Sequence, residues 1–246
     1  MTAAAERRRV ALPHERNADG TVTIRAFEGA ILSRVLPAPA GRAFNFEVIF
    51  FPNHPRLRQL PSKPPEHFHP LQEEYVSVSE GALAVEVEGI EHILRPGDPE
   101  FVLQRGVNHR LYPAPQNEKE SQNDKSRKVS CLLSAEGTSS LFALDLVFFE
   151  NWYTYQEQVV VHGAKLNLIQ VMAMFDAGDS YLTLPWYIPM RSLMSRVMGI
   201  VFGRWIGSLL GYQPFYKEWT TDWDLACEKM ETCMLQRRFS DRKKVA

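Results

Sequence analysis

His67-Phe68-His69-Pro70-Leu71-Gln72-Glu73-Glu74 is the stretch on which the fold turns. Two histidines at i and i+2 of a strand share a face, with Cα atoms roughly 6.5 Å apart, so their imidazoles can converge on one metal ion. Glu74 follows His69 by five residues, an odd spacing that would put it on the wrong face of a straight strand. Pro70 interrupts ladder pairing between them and lets the chain bend, resetting that parity. Glu73 is the competing carboxylate. A third imidazole, His109, comes forty residues later, in a strand that follows Gly106. Three imidazoles and one carboxylate suit Fe, Mn, Ni, Cu or Zn better than Mg or Ca.

The surroundings of this stretch have β texture. Thr21–Phe27 alternates and is rich in β-branched residues, and Phe44, Phe46, Val48 and Phe50 recur with period two. Residues 52–66 carry five prolines and read as a long surface loop. Beyond it, Tyr75–Ser79, Ala82–Glu88, His92–Leu94, Phe101–Leu103 and His109–Tyr112 are short strands punctuated by Gly81, Gly89, Pro96-Gly97 and Gly106. Short strands at such spacing predict a sandwich or barrel. The polar stretch 114–128 reads as an exposed loop, because strand texture resumes at Val129–Leu133. Lone histidines in such chains are mostly surface or satisfied core groups, and His14, His54, His92 and His162 are read that way.

At the metal-ligand residues the sequence resembles the cupin superfamily. The first cupin motif, G-x5-HxH-x3,4-E-x6-G, is matched from the first histidine onward by His67, His69, Glu74 and Gly81, with Pro61 where the opening glycine usually stands. The second motif is matched in part: Arg95-Pro96-Gly97-Asp98 resembles its turn and Gly106-Val107-Asn108-His109 supplies G-x2-H. Gln104 and Pro113 stand where proline and asparagine are usual. The resemblance covers roughly 21–149. It implies a mainly β fold, an antiparallel jelly-roll-like barrel, with one divalent transition metal held inside by His67, His69, Glu74 and His109. Fe or Mn is expected first, with Ni, Cu and Zn as alternatives. Pairing of Glu74 with Arg105 or Arg110 is the competing role for that carboxylate.

Composition excludes other classes. With 28 Lys+Arg against 29 Asp+Glu, the chain of 246 residues has no basic excess for binding nucleic acid through bulk charge. Its 45% hydrophobic content excludes a disordered chain. Cys131, Cys227 and Cys233 form no disulfide framework, and the residues after Arg7-Arg8-Arg9 lack the apolar run of a secretory signal. The expected location is cytoplasmic, with peripheral membrane contact as a further expectation.

After about residue 140 the texture becomes helical. The division expected is a flexible arm over 1–20, the barrel over 21–149 and a helical C-terminal extension over 150–246. Residues 164–175 are apolar nearly all round, which predicts a buried helix. Met190–Tyr212 reads as another helix, carrying Gly199, Gly203, Gly207 and Gly211 at intervals of four. Each interior glycine costs a helix about 0.5–1 kcal/mol relative to alanine. The ladder therefore needs a close neighbour, either protein or membrane. A bilayer span needs about 20 mostly apolar residues. Arg204 would sit near the middle of this one, at a cost of roughly 2.5–3.5 kcal/mol. A last helix is expected from Thr221, with Asp222 and Asp224 favouring its N-terminus.

Cupins of this kind include oxygenases and other oxidoreductases, decarboxylases, isomerases and cyclases, many of them tailoring enzymes of secondary metabolism. The resemblance therefore implies a metal-dependent oxidoreductase. Phe46, Tyr75, Val85, Phe101 and Tyr112 are expected to line a pocket for a small apolar or aromatic molecule, with Tyr112 as a candidate catalytic group. A non-catalytic cupin-fold protein, whose extension makes a homodimer or docks on a membrane, is the alternative.

Overall fold

The computed structural model describes residues 14–18, 21–61, 63–115 and 127–242. The N-terminal arginine cluster, most of the 114–128 loop and Lys243-Lys244 lie outside the described residues.

Alternation along the strands builds two antiparallel sheets. The first contains β1 (His14–Arg16), β2 (Val22–Ala26), β3 (Ile31–Val35), β4 (Arg42–Phe50), β6 (Glu74–Glu80), β9 (Phe101–Leu103) and β11 (Val129–Glu136). Their order is β1-β2-β3-β4-β11-β6-β9. The second contains β5 (His67–Phe68), β7 (Leu83–Val87), β8 (Ile90–Leu94), β10 (His109–Pro113) and β12 (Tyr181–Leu182). Its order is β12-β5-β10-β7-β8. The expected strands are present. The structure adds β3 and β12, and it places His14–Arg16, read as part of the arm, in a strand against Val22–Ile24. In the proline-rich 52–66 stretch a single turn, α1 (Pro55–Arg58), is capped by His54, whose Nδ1 accepts from the Arg56 N–H.

The core lies between the sheets. Register sets Phe46 opposite Leu133, and Val48 and Val78 opposite Cys131. Phe46, Val48, Val76 and Leu103 from the first sheet meet Leu83, Val85 and Leu94 from the second. Each such side chain contributes about 1.5–3 kcal/mol on full burial. The tight turn from β6 to β7 needs Gly81: its φ is +77°, and a Cβ there would lie 2.7 Å from the Lys128 carbonyl oxygen.

Helices pack onto this sandwich and add Phe148 and Phe149 to its core. α2 (Leu146–Val160) starts at Asp145, whose carboxylate accepts from the Phe148 N–H, and it runs across the 149/150 division drawn from sequence texture. Phe149 packs edge-on to Phe44 and Phe46, with ring centroids 5.0 and 5.2 Å apart, so the helix plugs the barrel core. α3 (Leu168–Ala177) starts at Asn167, whose side chain accepts from the Ile169 and Gln170 N–H groups. Val171, Ala173, Met174 and Phe175 are buried as expected, but Leu168 is 63% exposed. After α3 the chain re-enters the second sheet as β12, setting Leu182 opposite His67 and Tyr181 opposite Phe68. The last helix, α5 (Trp223–Glu231), is capped by Asp222, which accepts from the Leu225 N–H.

The glycine ladder belongs to α4 (Arg191–Leu210), whose middle, Gly199–Gly207, is π-helical. Its neighbour is α3. A Cβ on Gly203 would lie 2.5 Å from the backbone carbonyl of Met172, and one on Gly207 would lie 3.1 Å from Ile169 Cγ2. Gly199 faces the Tyr181 ring, and Gly211 ends the helix with φ +96°. Arg204, which interrupts the apolar run, is turned inward. Its Nε and Nη2 donate to the two oxygens of Asp176 at 2.6 and 2.9 Å, and its guanidinium lies over the Phe142 ring. The opposite side of α4 exposes Leu193, Met194, Val197, Phe202, Trp205 and Leu209. By length and composition alone α4 could cross a bilayer, yet its glycine side and its arginine are committed to protein contacts.

Two stability tests follow from this packing. Gly203→Ala should cost about 2–3 kcal/mol, because backbone must move, and should lower the thermal midpoint by roughly 5–10 °C. Gly207→Ala, opposed mainly by the end of an isoleucine side chain, should cost much less. Arg204→Ala strips the fully buried Asp176 carboxylate of its arginine and leaves it the Tyr181 hydroxyl, and should destabilise by about 3 kcal/mol or more. Removing both charges with Asp176→Leu and Arg204→Leu should restore most of that loss. Thermal and urea unfolding of the four proteins check both expectations.

Candidate metal centre

β5, β6 and β10 bring His67, His69, Glu74 and His109 together at one end of the sandwich. The ligand atoms of all four lie within 4.8 Å of one another. His67 and His109 face each other in direct register across β5 and β10, with ring centroids 4.6 Å apart. His69 is 5.0 Å from His67 and 5.2 Å from His109 on the same measure.

Glu74 enters from the other sheet, and the turn between His69 and Glu74 resets parity as the proline implied. Gln72 fixes that turn: its amide nitrogen donates to the Glu136 and Leu144 carbonyls, and its oxygen accepts from the Leu144 N–H. Glu74 is therefore 3% exposed and points inward. Glu73 points outward and accepts from the Tyr75 hydroxyl at 2.8 Å. The arginines weighed as partners of Glu74 are engaged elsewhere, Arg105 with Glu136 and Arg110 with Glu86.

Hydrogen bonds on the far side of each imidazole decide which nitrogen faces the cluster. His109 Nδ1 lies 2.9 Å from the Val107 carbonyl and His67 Nδ1 lies 3.4 Å from the Pro65 carbonyl, so both Nδ1–H groups donate outward. Ser180 donates its hydroxyl to the Gly178 carbonyl, leaving its oxygen to accept from His69 Nδ1–H at 3.0 Å. His69 Nε2 then carries a lone pair, is buried, and has no hydrogen-bond partner among the described residues. It lies 3.6 Å from a Glu74 oxygen, which is itself 2.8 Å from His109 Nε2. An orphaned imidazole nitrogen aimed at a carboxylate and two further imidazoles is the arrangement a transition metal needs, down to the outer hydrogen bonds that fix each tautomer.

Electrostatics follow from this geometry. Burial, reinforced by His109 and His69, pushes His67 well below its ordinary value, so it is neutral. Burial disfavours ionised Glu74, but the neighbouring His69 and His109 imidazoles, His109 through a hydrogen bond at 2.8 Å, outweigh it and hold the carboxyl well below the usual range. Burial also opposes a charged His109, and the Glu74 carboxylate beside it reverses the balance and raises it.

Two expected pocket residues lie elsewhere. Tyr112 is three residues from His109, so strand alternation puts it on the outer face of the second sheet. There its hydroxyl donates to Glu91 and, at 3.0 Å, to Glu86. Tyr75 is likewise outward, under the Arg42 guanidinium. Phe46, Val85 and Phe101 do belong to the inner core.

Comparison with known proteins places the chain by sequence. No protein-family model matches it. An oxidoreductase of Arthrobotrys oligospora is 45% identical over 226 residues, covering 91% of this chain and 87% of that protein. The probable oxidoreductase yanE of Aspergillus niger is 44% identical, covering 88% of this chain and 83% of its own length. This chain belongs to their family. The epoxidase atD of Aspergillus terreus is a more distant relative of the same oxidoreductases, 38% identical over 89% of this chain and 70% of that protein. Among solved structures, KdgF from Halomonas sp. overlaps 52% of this chain and 96% of its own, at 17% identity and a TM-score of 0.34. A superposition that loose decides nothing, and the fold description rests on the strand order. The antiparallel sheets and the inward His/Glu cluster fit the cupin resemblance carried by the motif.

The outer face of the second sheet offers a test independent of the metal cluster. Glu86 is 6% exposed and accepts from Arg110 at 2.5 Å and Lys63 at 2.6 Å. Hydrogen bonds from Arg110, Lys63 and Tyr112 hold its carboxyl at about 2. Its folded value is depressed, so its stabilisation is full above the ordinary carboxylate range and fades as pH falls from about 4.5 towards 2. Glu86→Gln should therefore be less stable than the parent at pH 7, with the gap closing at lower pH. Its metal content should be unchanged. Thermal unfolding across pH, with metal analysis of both proteins, provides the check.

Proposed function

We propose that this chain is a metal-dependent oxidoreductase of the oxygenase type. It oxidises a small apolar or aromatic metabolite with dioxygen, as a tailoring step of secondary metabolism. The observation that carries the metal is the buried, partnerless Nε2 of His69, aimed at Glu74 and two more imidazoles. Kinship with proteins named oxidoreductase and epoxidase supports the reaction class.

His67, His69, Glu74 and His109 would hold the ion, with Fe or Mn favoured over Ni, Cu and Zn. Bound there, such an ion would supply Lewis-acid and redox chemistry towards a small substrate and dioxygen. The chain supplies the rest. Ser180 and the Val107 and Pro65 carbonyls orient the imidazoles, and the core around Phe46 and Val85 keeps water from the inner face. His109 would have to give up its Nε2 proton to serve as a ligand, so metal affinity would fall as acid restores that proton.

Purified without chelators, the protein should carry close to one equivalent of metal, and His67→Ala and His109→Ala should each lower it at least tenfold. Affinity for added Mn²⁺ should weaken progressively below neutral pH. Sub-stoichiometric metal that His67→Ala leaves unchanged would sink this reading.

The exposed side of α4 favours a second reading, of where the enzyme works. Phe202, Trp205, Leu209 and Leu210 stand out of the protein. From Ser180 to Lys217 the sequence holds no Asp or Glu, and Arg196 adds a basic group to α4. A cytoplasmic enzyme with this face would rest on an anionic membrane surface, aromatic groups at headgroup depth. Vesicles containing phosphatidylserine should co-sediment the full chain, and Phe202→Glu with Trp205→Glu should leave it in the supernatant. A stable dimer that ignores vesicles would assign the face to a second copy instead.

A further inference from the structure

The C-terminal helices form a partly open apolar cavity that shares a wall with the candidate metal centre. It measures about 160 Å³ and lies between α3, β12 and α4. Leu168, Met172, Phe175, Leu182, Leu184 and Met198 line it. Phe175 belongs to both sites: its ring also packs edge-on to His67, with centroids 6.2 Å apart. Leu182 stands opposite His67 in the β12–β5 register. Ser180 lines the cavity and orients His69.

Its polar neighbours are already satisfied. Ser195 donates to the Leu182 carbonyl at 2.5 Å, Tyr181 donates to Asp176 at 3.1 Å, and Ser180 donates to the Gly178 carbonyl. No charged side chain lines the space. A guest with a carboxylate or phosphate there would lose its hydration and find no partner, a cost of several kcal/mol or more. An apolar guest loses nothing. Dry apolar cavities of about 150 Å³ bind benzene, so one aromatic ring or a short branched alkyl group fills this volume. Gly199 keeps the space open, since a Cβ there would lie 2.7 Å from the Tyr181 ring that forms part of the wall.

We propose that this cavity binds the hydrocarbon part of the substrate, a single ring or short branched alkyl group, and presents the remainder to the metal centre past Phe175. The inference rests on the oxidoreductase reading for the identity of its guest, but the cavity's affinity for hydrocarbon does not depend on metal.

The test uses toluene as the probe and the full chain labelled with ¹³C in its methionine methyl groups. The titration is run on the protein as purified and again after dialysis against EDTA. Met172 and Met198 signals, assigned through Met172→Leu and Met198→Leu, should shift in a saturable way while Met190 and Met234 signals stay put. Benzoate should shift neither. Leu184→Trp at the half-buried rim, and Leu168→Trp at its exposed edge, should each weaken toluene binding at least tenfold with metal content unchanged. Uniform shifts of all methionines, or parent-like binding by both folded tryptophan variants, would overturn the proposal. Toluene binding in a protein that never takes up metal would uphold the cavity and sink the metal reading. Full metal loading with unmoved Met172 and Met198 signals would do the reverse.

Discussion

Burying the Glu74 carboxylate is the constraint around which the molecule is arranged. A carboxylate at 3% exposure is costly unless it is paired and hydrogen-bonded. The compensation comes from three directions. His109 arrives on the neighbouring sheet in register with His67, His69 arrives from the turn after β5, and Gln72 pins the chain between His69 and Glu74. Each histidine needs its own outer acceptor, and those acceptors come from the Val107 loop, the proline-rich approach to β5 and the start of β12. One buried charge thus specifies the β5–β10 register, the turn at Pro70 and the docking of a segment far along the chain.

The helical part obeys a different economy. α4 packs by backbone approach, with Gly203 and Gly207 removing the side chains that would hold α3 away and Gly199 doing the same for the Tyr181 ring. Its one central charge is neutralised by Asp176 on the helix it packs against. Both devices leave the outward side of α4 free of structural duties, which is why large apolar groups can stand there without being needed by the core. The same close approach leaves a small apolar space where the helices diverge towards β12, beside the histidines.

Much of this was legible in the sequence, for identifiable reasons. The strands with period two and turn glycines were readable because each strand buries one face. The His/Glu cluster was readable because its residues are close in sequence or lie in a recognisable glycine turn. The pocket role of Tyr112 failed on parity: three residues from His109 is the opposite face of a strand, and no bend intervenes before Pro113. Ser180 could not be read, being a common residue 111 positions from the histidine it orients. β12 was invisible because two residues carry no period. The glycine ladder announced a close neighbour but not its identity, since nothing in α3 marks Met172 and Ile169 as the opposing surface.

The return of the chain as β12 also has a consequence for the order of assembly. All four candidate ligands are made early in synthesis, yet β5 gains its second hydrogen-bonded neighbour, and His69 its orienting hydroxyl, only when residues 180–182 have emerged and docked. Contacts of such long range are slow to form, because a large loop must close first. Until then a two-residue strand bearing His67 lies at an open edge of its sheet. The nascent protein therefore passes through a stage in which the sheets are largely made but the end carrying the His/Glu cluster is unfinished, and the C-terminal segment is what ends that stage.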